Sequence, residues 1–271
     1  MNNIKLRIDS PIGRNLLTHS TPRMHRFVAA FIRSAMRAGA TAVRFWIGLQ
    51  KKSGRTTYRV VASHDGAGIE DFQGFLRATD YDFERPALDD RTYGFELLHS
   101  LFRAREVSIR TGDVLYTFQP ENLISGLSSG QVVTKRVAGG SGIQIDMIGG
   151  AAGTEMVEEY IAEMIGCPIP VFLNGMEVDR YHVLDSDIRF TQTGVGMIHV
   201  PAGVDYPRHF AFYMDGLPIG YRTATKDAVV IHLAPTAENR NLPDNQNAPV
   251  FFDLRTRVHE IVMAQRKLKV A

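Results

Sequence analysis

The chain is poor in three things: cysteine, long apolar runs, and acid in its first 59 residues. A single thiol in 271 residues, Cys167, excludes an internal disulfide and any cysteine-cluster metal site. A reducing cytoplasm is the compartment that such usage fits. No apolar stretch approaches the roughly 18 residues that a membrane-spanning helix needs. The N-terminus, MNNIKLRIDSPIG, has no apolar signal core, so no secretion signal is expected. Acid is scarce in one place only. Residues 1–59 hold twelve Lys or Arg against one acid, Asp9, a charge of +11 that leaves −9 on the other 212 residues. Charge divided in this way fits an anionic partner on one side of the molecule, or a basic segment neutralised by acidic neighbours in the same fold.

Several chemistries are also missing. There is no Walker-type glycine loop, no dinucleotide fingerprint, no HExxH and no nucleophile elbow. The nine histidines are scattered, and no two stand at ligand spacing on one expected element, so no metal site is expected. With 44% hydrophobic and 22% charged residues, what remains is an ordinary globular composition long enough for two modest domains.

The organisation is clearest from Phe27 to Ile69. Ser20 or Thr21 can cap a helix, and Pro22 suits its first position. Phe27, Phe31 and Ala35, with Val28, Ile32 and Met36 beside them, make an apolar face at helical spacing, and Gly39 suits the left-handed stop. Val43, Phe45, Ile47 and Leu49 alternate with Arg44, Trp46 and Gly48 as a half-buried strand, in which Trp46 is read as packing. A second strand, Thr57–Ser63, closes on His64-Asp65-Gly66-Ala67-Gly68-Ile69.

Further on, short helices are expected at Glu70–Thr79 and Gly94–Arg103, with an acidic, lid-like loop at Asp80–Arg91 between them. Strands are expected at Glu106–Thr111 and Val114–Phe118, joined at Gly112-Asp113, then near Val132–Arg136 and Ile143–Ile148. Glu155–Ile165 has the pattern of an amphipathic helix. From Pro168 the texture changes to hairpins. Asn174-Gly175 and Asp215-Gly216 are strong tight-turn signals, strands are expected at Ile188–Thr193, Gly196–Val200 and Ala228–Leu233, and Leu254–Val270 closes the chain as a helix. The boundary falls near residue 167, giving segments 1–167 and 168–271.

The order helix, Ala38-Gly39-Ala40-Thr41, strand, strand, Asp65-Gly66-Ala67-Gly68 resembles the nucleotide-binding core of the GHKL superfamily, which includes gyrase B, MutL, the large heat-shock chaperones and histidine kinases. The resemblance implies an α+β fold: a GHKL-like sandwich, a mixed sheet covered by helices, followed by a smaller α+β domain rich in β-hairpins. It also implies ATP or ADP as ligand and self-association or a protein partner. The family's first motif is a helix whose Glu activates water and whose Asn, four residues on, coordinates Mg²⁺. Aligning on the AGAT end puts Ala30 at the Glu, Ser34 at the Asn and Arg37 at an acidic position, and no residue from His19 to Thr41 is acidic. Mg²⁺ prefers carboxylates and phosphates, which Ser34 cannot replace alone.

In the second motif an Asp accepts a hydrogen bond from the adenine amino group. His64 stands there, followed by the matching Asp65, Gly66, Ala67 and Gly68; a slip of one residue would place Asp65 at that position instead. A neutral imidazole can accept one hydrogen bond through the right nitrogen. The lid motif reduces to Tyr93-Gly94-Phe95-Glu96, with one glycine, and Gly140-Ser141-Gly142 resembles the strand that brings a Thr hydroxyl near the adenine. Arg33 and Arg37 are candidate anion ligands on the helix. PVFLNGMEV and VVIHLAPTAENRNLPD resemble segments of phage- and plasmid-type members. Three readings follow: a GHKL-fold interaction module without hydrolysis, a divergent ATP-binding enzyme, and a nucleic-acid binder using residues 1–59.

Overall fold

The computed structural model describes residues 24–52, 55–72, 97, 101, 104–120, 122, 132–149, 154–184, 188–203, 209–219, 228–234, 236 and 249–270. It divides into two compact units: Met1–Ile161 with Ile169–Glu177, and Ala162–Pro168 with Val178–Ala271. The expected lid at 80–91 and Gly94 lie outside the described residues. So do most of the helices expected at 70–79 and 94–103, from which Phe72, Leu97 and Leu101 are described and buried.

The first unit is built on an eight-stranded mixed sheet. Its strands are β1 (Val43–Lys52), β2 (Arg55–His64), β3 (Glu106–Thr111), β4 (Val114–Phe118), β5 (Val133–Arg136), β6 (Ile143–Ile148), β7 (Val171–Leu173) and β8 (Met176–Glu177). Their spatial order is β5-β4-β3-β6-β2-β1-β7-β8. One face is sealed: Val43, Phe45, Ile47, Val60, Ala62, Val107, Ile109, Ile145 and Met147 are all buried. Helix α1 (Met24–Arg37) packs on that side, with the Phe31 ring 5.9 Å from Phe45 and 5.4 Å from His64. Period-3.6 spacing on the helix meets period-2 spacing on the strands, which is why a short sequence window carries the whole layer.

The hairpin β7–β8 stands after the boundary near residue 167, yet β7 pairs in parallel with β1, Val43 opposite Val171. The turn explains the seam. Asn174 takes φ +52° and Gly175 +86°, the left-handed pair that Asn-Gly favours, and the Asn174 side-chain carbonyl then accepts the Ile47 N–H at 2.8 Å. Helix α2 (Thr154–Ala162) stops earlier than the expected 155–165, and Met164–Gly166 form a tighter 3-10 turn.

The second unit contains a helical turn, α3 (Tyr181–Leu184), and a five-stranded sheet in the order β12-β11-β13-β10-β9. Its strands are β9 (Thr191–Thr193), β10 (Gly196–His199), β11 (Phe210–Met214), β12 (Leu217–Pro218) and β13 (Val229–Leu233). Helix α4 (Pro249–Val270) lays Phe251, Leu254, Val258 and Val262 on one face, against Ile198, Phe212, Val229 and Ile231. On the other face Ile165, Ala211, Tyr213, Ala228 and Val230 form a second core with Phe190 beside it.

That second core holds histidines. His182 and His232 lie 5.8 Å apart between Tyr213 and Phe190, and His232 stacks on Tyr213. Burial holds both imidazoles down to about 4, with His232 and His199 adding to the effect on His182. The unfolded chain, with values near 6.5, therefore binds protons first. The stability that these neutral rings contribute is complete above pH 6.5 and is lost as pH falls toward 4. Thermal melts of the full chain should show the second unit weakening by on the order of 1 kcal/mol per pH unit below pH 6. His232→Phe should flatten that dependence; an unchanged slope would remove the assignment.

Candidate functional site

The two glycine motifs interlock. Helix α1 ends at Ala38-Gly39, with Gly39 at φ +67°. The Asp65 carboxylate then reaches back across 24 residues. Its Oδ1 accepts the Thr41 N–H at 2.8 Å and the Ala42 N–H at 3.2 Å, and its Oδ2 takes the Thr41 hydroxyl. These donors, the Thr41 hydroxyl first, pull the Asp65 carboxyl down to about 2. The Ala67 N–H donates to the Ala38 carbonyl at 2.8 Å. Gly66 is required by space, since a Cβ there would stand 2.5 Å from the Ala38 oxygen. Downstream, the Ile69 N–H donates to the Thr111 hydroxyl at 2.7 Å, and a Cβ on Gly68 would stand 2.5 Å from the same oxygen. The Asp65-to-Ile69 loop is thus fastened to the helix end and to β3 by its own backbone.

His64 ends β2 under the helix, only 4% exposed and against Phe31. Its Nδ1 accepts the Gly66 N–H at 3.2 Å, so this nitrogen carries no proton. In the neutral ring the proton is then on Nε2, which is buried without a hydrogen-bond partner among the described residues. Burial holds the imidazole below its ordinary value, against the opposing pull of the Asp65 charge. The acceptor nitrogen that an amino group would need is therefore already used, and the remaining one is a donor. An adenine amino group does not fit this side chain.

Ala30, at the position that the resemblance gives to the water-activating Glu, is 0% exposed. Ser34 is half-buried one turn further along α1. Arg33 is half-buried and Arg37 exposed, and both already have interaction partners. The helix from Met24 to Arg37 contains no carboxylate. This donor set does not fit Mg²⁺, a hard cation that takes oxygen ligands from carboxylates and phosphates. Among the described residues no group of three or more His, Cys, Asp or Glu is placed to hold a metal. Ser141 is exposed in the bend before β6, next to Gly142, whose φ of +74° lets the chain pass against the His64 carbonyl.

The structure thus brings Ser34, His64, Asp65, Gly66 and Gly68 to one end of α1 and β2, while Gly94 lies outside the described residues. Sequence reasoning missed Thr111, and nothing local marks it, because it acts from 42 residues away. Thr41 was legible as part of the AGAT end, but its bond to Asp65 was not.

No protein-family model matches the chain, and no curated protein matches it. Solved structures do. The N-terminal domain of a DNA repair protein superposes with a TM-score of 0.53 at 12% identity, covering 94% of this chain and 98% of that one. The chain shares the α+β fold of that domain. The ATPase domain of the mismatch repair endonuclease MutL from Aquifex aeolicus is similar at a TM-score of 0.47 and 14% identity, over 89% of this chain and 99% of that one. The B-subunit of DNA gyrase from Myxococcus xanthus is similar at 0.41 and 13%, over 72% and 66%. At such identities the likeness concerns the fold alone, and the weight rests on the first. No helix among the described residues is long and apolar enough to cross a membrane.

Proposed function

We propose that this chain is a degenerate GHKL-fold protein that does not hydrolyse ATP and acts as an interaction or assembly module. Its partner is a second copy or another protein, in the reducing cytoplasm of a phage or mobile-element host. One observation carries the reading: the helix that would bear the catalytic carboxylate has none, and the position itself, Ala30, is sealed in the core. His64 adds to it, because its free nitrogen is a donor where adenine requires an acceptor. What remains of the motif is its mechanical part. Asp65, Gly66 and Gly68 join helix, loop and sheet without needing a ligand.

The test is ATP hydrolysis by pure full-length protein with Mg²⁺, together with titration of ATP and ADP with and without the metal. The expected result is no turnover above background and no Mg²⁺-dependent gain in nucleotide affinity. Turnover that survives Ser34→Ala and His64→Ala, yet disappears when an acid elsewhere is changed, would overturn the proposal. It would favour a divergent enzyme instead. Removing a positioned base costs roughly 10²–10⁴-fold, so a slow rate must be sought before it is declared absent. Light scattering tests the self-association arm directly.

A further inference from the structure

The eight-stranded sheet buries one face and leaves the other open. Along β1 the buried Val43, Phe45 and Ile47 alternate with exposed Arg44, exposed Trp46 and half-buried Gly48. The same alternation runs through β2, β6 and β3, where Arg59, Val61, Ser63, Gln144, Asp146, Ile148, Ser108 and Arg110 are all partly exposed. The pairing puts these residues in rows. Arg44 stands opposite Ser63, Ser63 opposite Gln144, Gln144 opposite Arg110, Arg110 opposite Leu115, and Leu115 opposite Lys135. A second row runs from Trp46 through Val61, Asp146 and Ser108 to Thr117.

Trp46, the sole tryptophan, is 45% exposed although it is the largest side chain on the strand. Its six-membered ring occupies the space that a Cβ on Gly48 would need. The Arg59 guanidinium lies 5.9 Å from the ring centre, and its Nε donates to Asp146 Oδ1 at 2.9 Å. The indole is thereby fixed on the sheet with surface to spare, and the one acid in the middle of the face is neutralised by Arg59. Glu106 stands opposite Ile148 at one end, and the exposed Glu177, which has a partner of its own, stands beyond Phe172 in the row of Arg44. Arg44 lies over Phe172 at 5.2 Å, and the Arg110 guanidinium is held by the Ala138 carbonyl at 2.7 Å. Among the described residues neither forms a salt bridge, nor does the exposed Lys135.

We propose that this open sheet face binds single-stranded nucleic acid, Trp46 stacking on a base while Arg44, Arg110 and Lys135 hold phosphates. Charge complementarity selects the occupant. The face presents Arg44, Arg110 and Lys135 in one row without a salt bridge among the described residues, hydroxyl and amide groups between them, and a fixed aromatic platform in the next row; one acid, Glu177, stands at the first row's end beyond Phe172. A polyanion with flat bases satisfies all three. The rows span several strands about 4.8 Å apart, so the contact is an extended one. The proposal is independent of the fate of the nucleotide site.

Because Trp46 is the only tryptophan, its emission reports the site. Titration of the full chain with a short oligothymidylate at low salt should quench it saturably. Affinity should fall with salt with a log–log slope near −2, about 0.7 for each of three phosphates. Fluorescence anisotropy of a labelled oligonucleotide should show Trp46→Ala binding about tenfold or more weakly, consistent with stacking worth roughly 1–3 kcal/mol per base. Trp46→Phe should recover most of the binding. Arg44→Ala and Arg110→Ala should each flatten the salt slope by about 0.7. If Trp46→Ala fails to fold, the Trp46→Phe and arginine arms decide. Absence of binding at low salt, affinity indifferent to the Trp46 and arginine changes, or equal quenching by poly-glutamate would overturn the proposal, the last pointing to an acidic protein partner.

Discussion

Gly142→Ala should unfold the first unit. Gly142 has φ +74°, which costs a residue with a side chain on the order of 1–2 kcal/mol. The larger cost is steric. An added Cβ would lie 1.8 Å from the His64 carbonyl oxygen, 2.7 Å from its carbon and 3.0 Å from Asp65 Cα, all backbone atoms. They cannot retreat easily, since His64 is paired with Val43 on one side and with Ile143 on the other, and Asp65 is bonded to Thr41 and Ala42. Moving them would open both the sheet and the interlock with α1. A loss of more than about 4 kcal/mol is expected, the range reserved for a named structural failure. Denaturant unfolding followed by circular dichroism measures it. Gly112→Ala is the control: Gly112 has φ +56° but nothing within 4 Å of an added Cβ, so it should lose only about 1–2 kcal/mol. Equal losses at the two positions would show that conformation alone, not the approach to His64, makes Gly142 necessary.

The same contacts show what a sequence can and cannot reveal. The α1–β1–β2 layer was legible because each element announces itself locally. An apolar stripe at helical spacing, strict alternation from Val43 to Leu49 and a glycine stop all act within a few residues. The turns at Asn174 and Asp215 were legible for the same reason, and both adopt positive φ, +52° and +54°. What was hidden is pairing at a distance. Nothing local says that β7 lies parallel to β1, because the bond that fixes it, Ile47 N–H to Asn174, joins residues 127 apart. Nor does anything local place β11 parallel to β13. At the candidate site the residue types were legible and their duties were not. Asp65, open on sequence to a ligand-binding role, spends its oxygens on Thr41 and Ala42. His64, read as a possible acceptor, has its acceptor nitrogen occupied by Gly66. Trp46, read as packing, lies over Gly48 with the Arg59 guanidinium 5.9 Å from its ring centre, yet keeps 45% of its surface exposed.

Restoring the carboxylate by Ala30→Glu should destabilise the protein without restoring hydrolysis. Ala30 is wholly buried, and its neighbours Phe27, Phe31 and Ile32 on α1 are buried with it. A Glu there must either lose water from its charged form or push the helix from the sheet. A charge left unpaired in a core costs several kcal/mol, and overpacking adds about 1–3. Arg33, one turn away, is already engaged elsewhere. The expected loss is about 3–5 kcal/mol, with no Mg²⁺-dependent turnover. Its pH dependence separates charge from size. A buried carboxyl titrates above its unfolded value near 4.3, so the folded form binds its proton first. The defect should then be full at neutral pH and shrink as pH falls through the raised value. The histidines of the second unit weaken the parent protein over the same range, so the quantity to follow is the difference between mutant and parent at each pH. A defect that does not change with pH would assign the loss to volume alone. Ser34→Glu, on the half-buried side of the same helix, should cost far less. If Ala30→Glu instead folded with parental stability and turned over ATP with Mg²⁺, position 30 would face a nucleotide site after all. The lost chemistry would then be one substitution deep, whereas a core position converted from catalysis to packing cannot be reversed by a single side chain.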